Sequence, residues 1–157
     1  MANCAGIVLF HNDKTVLVQT EKGYHSFPKG KKEKGENIIM NAFRETEEET
    51  GIKPDNILIL KDTVINEYKN KDNVSVSYLI GKLKKDVNNF TFDQEELASV
   101  RWHKLNDALK LDTLRDRRVE VLKLKQAIHK FKNSKDSDFE DGRELLEKQD
   151  LKLTKNN

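Results

Sequence analysis

Residues 5–10 (Ala-Gly-Ile-Val-Leu-Phe) form an unbroken apolar run, short enough for a strand buried on both faces. Asn12 and Asp13 follow as turn formers, and residues 15–20 alternate into a second strand, so the pair predicts a hairpin. Residues 21–35 are polar, with three glycines and five lysines, and read as a long loop with one short strand near Phe27. Periodicity then changes. Ile39, Phe43, Thr46 and Thr50 recur at helical spacing, which predicts a helix over 37–50 with Gly51 as its C-terminal cap. Residues 57–68 and 74–83 are strand-like and joined by a turn at 69–73, and a further strand is expected at 99–104 around Trp102. A helix follows at 113–132, its core stripe being Val121, Leu124, Ile128 and Phe131. This order predicts an α+β or α/β fold, an α/β/α sandwich around a mixed β-sheet.

Length and charge narrow this picture. The chain has 157 residues, which favours one core, expected over 1–133. Residues 134–157 read as a charged tail, either helical through Leu145, Leu146, Leu151 and Leu153 or disordered. Lys and Arg total 29 against 27 Asp and Glu, giving a net charge of +2 and none of the basic excess of a nucleic-acid coat protein. No run approaches the ~20 apolar residues of a membrane span, and the opening residues, which lack a basic-then-apolar pattern, carry no expectation of a signal peptide. Cys4 is the only cysteine, which excludes an intrachain disulfide and makes a cytoplasmic setting the default expectation.

The chemistry concentrates in residues 30–52. Glu45, Glu48 and Glu49 stand at i, i+3 and i+4, on one side of the predicted helix. Packed carboxylates repel, and a hard cation among them relieves the repulsion. Oxygen ligands suit Mg²⁺ or Mn²⁺ rather than zinc. Arg44 lies four residues before Glu48 and can pin a carboxylate. A plain solvated acidic face is the competing reading of Glu45-Thr46-Glu47-Glu48-Glu49 taken alone.

The flanking residues change that balance. Gly30, Glu36, Arg44, Glu45, Glu48, Glu49, Gly51 and Ile52 fall at the spacing of the Nudix box, and the stretch resembles that motif at every charged and glycine position. Thr46 departs from it, standing where the family has an aliphatic residue. The likeness extends over roughly residues 3–132, including Pro28-Lys29-Gly30 before the box and Val100-Arg101-Trp102 after it.

The resemblance implies a pyrophosphohydrolase that cleaves a diphosphate linkage in a nucleoside diphosphate derivative. It implies Glu45 and Glu49 as principal metal ligands, with Glu48 as a further ligand or the general base. The backbone carbonyl of Lys29 or Gly30 completes the set, and Glu36 and Arg44 orient the ligands. Glu96 is the alternative base, taken from outside the box. Lys29, Lys69 and Lys71 are candidates for phosphate, Tyr78 for stacking a base, and His25 for a substrate contact. For Tyr78 and His25 a core tyrosine and a solvated histidine are the plain alternatives.

Tyr24-His25-Ser26-Phe27-Pro28-Lys29-Gly30 resembles both asymmetric diadenosine tetraphosphate hydrolases and RNA 5′-end decapping members. The first reading is therefore cleavage of diadenosine tetraphosphate to ATP and AMP, with a small nucleotide as partner. Alternatives are an RNA 5′-end pyrophosphohydrolase, an inositol pyrophosphate hydrolase and a non-catalytic nucleotide- or RNA-binding module. Oligomeric state is left open by the sequence.

Overall fold

The structure is a computed structural model that describes residues 2–69, 74–114 and 117–155. Strand β1 (Ala2–His11) runs through the middle of a nine-stranded mixed sheet. Its odd positions Ala5, Ile7 and Leu9 enter one core, and its even positions Val8 and Phe10 enter the other. Both faces of the sheet are covered, so the unbroken apolar run at 5–10 is explained.

Asn12 and Asp13, with φ of 50° and 63°, make the tight turn into β2 (Lys14–Thr20). After two residues of pairing with β1, strand β2 leaves β1 and pairs on that edge with β3 (His25–Ser26), while its other edge pairs along its length with β8 (Leu97–Lys104). The vacated edge of β1 is taken by β4 (Lys29–Lys31), through Cys4–Lys31, Ala5–Gly30 and Gly6–Lys29.

Helix α1 (Ile38–Thr50) packs on the face that receives Ala5, Ile7 and Leu9. Asn37 caps its start by accepting from the Met40 N–H at 2.9 Å. Gly51 ends it at φ 81°, where any side chain would be strained. Phe43, Thr46 and Thr50 are buried and Ile39 packs beside them, as the helical spacing predicts; Ala42 is buried with them. The Thr46 hydroxyl has no hydrogen bond among the described residues, so its departure from an aliphatic side chain carries a desolvation cost.

A 3₁₀ turn at Pro54–Asn56 leads into β5 (Ile57–Leu60), β6 (Ile65–Lys69) and β7 (Val74–Leu83). Strand β7 pairs in parallel with β1 along nearly its whole length, and β5 and β6 pair antiparallel with β7. The turn between β6 and β7 lies outside the described residues. The segment after β7 folds back over the α1 core, placing Val87, Phe90 and Phe92 there. Trp102 on β8 (Leu97–Lys104) anchors this loop by donating its Nε1–H to the Val87 carbonyl at 2.7 Å. The short helix α2 (Leu105–Leu109) and then α3 (Arg117–Lys132) cover the opposite face, with Leu124 fully buried.

The charged C-terminal stretch is folded rather than free. Strand β9 (Phe139–Asp141) pairs antiparallel with β5, and α4 (Gly142–Lys155) returns onto the α1 side. Leu145 and Leu146 pack on the α1 core, while Leu151 is exposed. Among the described residues no helix is long and apolar enough to cross a membrane.

Candidate active site

The polar side of α1 faces β4, and Arg44 organises it. Its Nε donates to Glu36 at 2.7 Å and its Nη2 to the other Glu36 oxygen at 3.0 Å, a two-point grip. Nη1 reaches Glu45 at 2.8 Å and both oxygens of Glu48 at 3.2 Å. Nη2 also donates to the Lys31 carbonyl at 2.8 Å, tying the helix to β4. A cation so enclosed by carboxylates keeps its proton even more firmly than a free guanidinium, chiefly through the bond to Glu36.

The carboxylates respond differently to their surroundings. Burial acts to raise the Glu36 carboxyl, but the Arg44 bonds and the Glu33 N–H at 2.8 Å together hold it below the usual carboxylate range. Burial pushes Glu45 up, against the pull of Arg44 and with help from Glu48 and Glu36. Glu49 is pushed up to about 7, first by burial and then by repulsion from Glu45 and Glu96. The Lys29 N–H, donated to Glu49 Oε1 at 3.0 Å, and the Lys29 charge act in the opposite sense.

Gly30 is the point of closest approach between strand and helix. A Cβ there would fall on the Glu45 carboxylate, so any larger residue would displace that carboxylate from its place between Arg44 and β4. The buried Asn41 side chain donates from Nδ2 to the Gly30 carbonyl at 3.1 Å and to the Lys31 carbonyl at 3.4 Å. Asn41 was not singled out in the sequence. Its signal is an amide within a helix, next to the core position Ala42, which is unfavourable unless the amide finds partners.

The structure thus brings Glu36, Arg44, Glu45, Glu48, Glu49, Lys29 and Gly30 together, and sets Glu96 near enough to repel Glu49. The loop anchored by Trp102 makes that approach, with the Thr91 N–H donating to the Thr50 carbonyl at 3.1 Å. Lys71 and the side chain of Lys69 lie outside the described residues.

Tyr78 corrects an expectation. It is fully buried in the α3-side core, edge-on to Phe27 at 5.3 Å, and cannot stack a ligand base. Strand alternation puts Val76 on the same face of β7 as Tyr78, and that face is the one opposite α1. His25 does not meet the carboxylates in its described contacts. Its ring shares a 2.7 Å hydrogen bond with Thr113 and lies edge-on to His103 at 5.5 Å. Burial, then the nearby His103 and Arg101, lower its pKa.

Among the described residues no three His, Cys, Asp or Glu side chains already converge in ion-gripping geometry. Glu45 and Glu49 are turned instead to Arg44 and to the Lys29 N–H. The donor set nevertheless fits a hard divalent cation. It is all oxygen, and burial and mutual repulsion make both carboxylates costly to ionise without added positive charge. The Gly30 carbonyl is already engaged by Asn41 and, across the β1–β4 ladder, by Ala5, so a cation there would share an oxygen that the protein holds in place.

Comparison with known proteins agrees with this geometry. The NUDIX domain family matches residues 2–124, and the chain belongs to that family. It is a Nudix pyrophosphohydrolase, of a family whose members generally require a divalent metal. It is 33% identical over 100 residues to an asymmetrical bis(5′-nucleosyl)-tetraphosphatase of Rattus norvegicus, spanning 61% of this chain and 67% of that protein. An RNA pyrophosphohydrolase of Pelagibacter ubique is 36% identical over 66 residues, 40% of either chain. The fold is shared with a C. elegans Ap4A hydrolase solved as a binary complex, at a TM-score of 0.73 and 23% identity, covering 83% of this chain and 99% of that one.

Proposed function

We propose that this protein hydrolyses diadenosine tetraphosphate asymmetrically, adding water across one phosphoanhydride to give ATP and AMP. The observation that carries the reading is the Arg44-centred carboxylate group on α1, closed against Lys29 and Gly30 of β4. The identity to the rat tetraphosphatase supports the substrate. The candidate ligands are Glu45, Glu49, Glu48 and the Gly30 carbonyl, and a bound Mg²⁺ or Mn²⁺ supplies charge neutralisation for the phosphate oxygens.

The chain's own contribution is placement. Arg44 holds Glu45 and Glu48 side by side and is itself fixed by Glu36, so the carboxylates are oriented before substrate arrives. Glu48 is the most exposed of the three and is our choice of base to take a proton from the attacking water, with Glu96 second. Lys29, next to the carboxylates, is the candidate to meet substrate phosphate.

Product analysis by ion-exchange chromatography tests this, with diadenosine tetraphosphate and 5′-triphosphorylated RNA supplied in parallel, each with Mg²⁺, Mn²⁺ or chelator. Metal-dependent ATP plus AMP supports the reading. Phosphate or pyrophosphate from the RNA alone moves the protein to 5′-end processing, the second reading, which the similarity to the Pelagibacter enzyme favours. Binding without cleavage of either substrate would make it a nucleotide-binding module.

A further inference from the structure

We infer that Asn41 is a positioning residue for the strand side of the active site, holding the Gly30 and Lys31 carbonyls where a bound cation needs the first of them. The inference rests on the metal-dependent reading above, and it concerns a position that the motif leaves free.

Three observations carry it. First, Asn41 is 1% exposed within α1, one turn before Glu45, so its amide lies on the helix side that faces β4. A buried helical amide is unfavourable unless its hydrogens are used. Here Nδ2 reaches two successive carbonyls, Gly30 at 3.1 Å and Lys31 at 3.4 Å.

Second, β4 is held from two sides. Toward β1 it keeps one register, from the Ile7 N–H bond with the Pro28 carbonyl at 3.3 Å to the Lys32 N–H bond with the Asn3 carbonyl at 2.8 Å, which sets Gly30 opposite Ala5 as a bonded pair. Toward α1 it is held by Asn41 and by the Arg44 bond to the Lys31 carbonyl at 2.8 Å.

Third, strand and helix approach closely at Gly30. Gly30 is already against the Glu45 carboxylate, so a shift of β4 along or away from α1 moves the carbonyl donor relative to its carboxylate partner. Arg44 alone fixes Lys31 and not Gly30. Asn41 is the described side chain that bonds the Gly30 carbonyl.

The test is Mn²⁺ affinity by calorimetry on the substrate-free protein, with thermal stability and steady-state kinetics alongside. Asn41→Ala keeps a strong helix former and is expected to weaken Mn²⁺ binding about 10- to 100-fold. Its activity should recover to within a few fold at saturating metal, because the carboxylates and Arg44 remain. Asn41→Ser serves as a second variant should the alanine protein fold poorly, with the same expectation. Ser77→Ala is the control: it removes a buried hydroxyl that bonds Asn66 at 2.8 Å, and should lower stability without changing Mn²⁺ affinity. Asn41 variants that fold and bind Mn²⁺ within twofold of the unmutated protein would overturn the inference while leaving the metal reading intact. An unmutated protein that binds no Mn²⁺ would remove the metal reading, and the inference with it.

Discussion

Helices α1 and α3 pack on opposite faces of one sheet, and they are held in different ways. Helix α3 meets the sheet through side-chain packing, with Leu124 and Ala127 buried and Val121, Ile128 and Phe131 beside them. Helix α1 has an equally buried stripe, but it is also bonded to β4 through Asn41, Arg44 and Glu49. Packing fixes a helix as a body and tolerates small slides, because dispersion contacts have no strong direction. Directed bonds fix individual atoms. The helix that carries the carboxylates is the one with both.

That contrast can be broken most sharply at Glu49. Glu49→Gln should lower turnover about 10²- to 10³-fold, since metal charge stabilisation supplies several kcal/mol. In chelator the same variant should melt higher than the unmutated protein, because a buried, repelled carboxylate is gone. Kinetics and calorimetry on one sample decide it; equal losses of stability and activity would mean that Glu49 is a packing residue.

Leu124→Ala is the complementary experiment on α3. It should cost about 2–5 kcal/mol of stability and lower Tm by roughly 5–15 °C. Below its Tm, kcat and Mn²⁺ affinity should stay within about twofold of the unmutated values. A large fall in kcat would show that the α3 face is coupled to the chemistry.

A pH titration sharpens the same point. Glu49 has a folded-state pKa of about 7 against 4.5 for an ordinary glutamate, and Glu45 is raised as well. The folded state therefore binds protons more tightly, and metal-free stability should fall as pH rises from 4.5 through 7, by on the order of 1–3 kcal/mol. Glu36, shifted the other way, contributes stability above its ordinary pKa that is lost on acidification. Saturating Mg²⁺ should flatten the loss between pH 4.5 and 7. Stability that rises across that range in chelator would contradict the charge balance drawn for the site.

The smallest expected effect is at Thr46, on the core stripe of α1. Thr46→Val removes a buried hydroxyl that lacks a partner among the described residues, and should stabilise by about 1 kcal/mol with unchanged kcat. Denaturant unfolding would show it as a higher midpoint at the same slope.

Local patterns were the legible ones. Glu45, Glu48 and Glu49 share a helix side because of a period of 3.6, which needs no tertiary information. The burial of Phe43, Thr46 and Thr50 was readable for the same reason. Alternation in β7 grouped Val76 with Tyr78 but could not say which face they occupy, since that depends on where α1 and α3 land. Asn41 escaped notice because its partners come from β4, whose position depends on pairing with β1. The C-terminal strand escaped too: Phe139–Asp141 is only three residues long, and a length that short gives periodicity nothing to show.

That strand has a consequence for how the molecule is made. Ile57–Leu60 is the rim of the sheet until β9 arrives, and it presents an apolar edge with open backbone groups. On the ribosome this edge is synthesised long before the residues that seal it, so the nascent chain spends about half of its translation with an adhesive border. Stalled or proteolytically clipped chains that lack residues 139–155 would keep that border, and should be selectively captured by chaperones or lost to aggregation, even with every side chain of the candidate site in place.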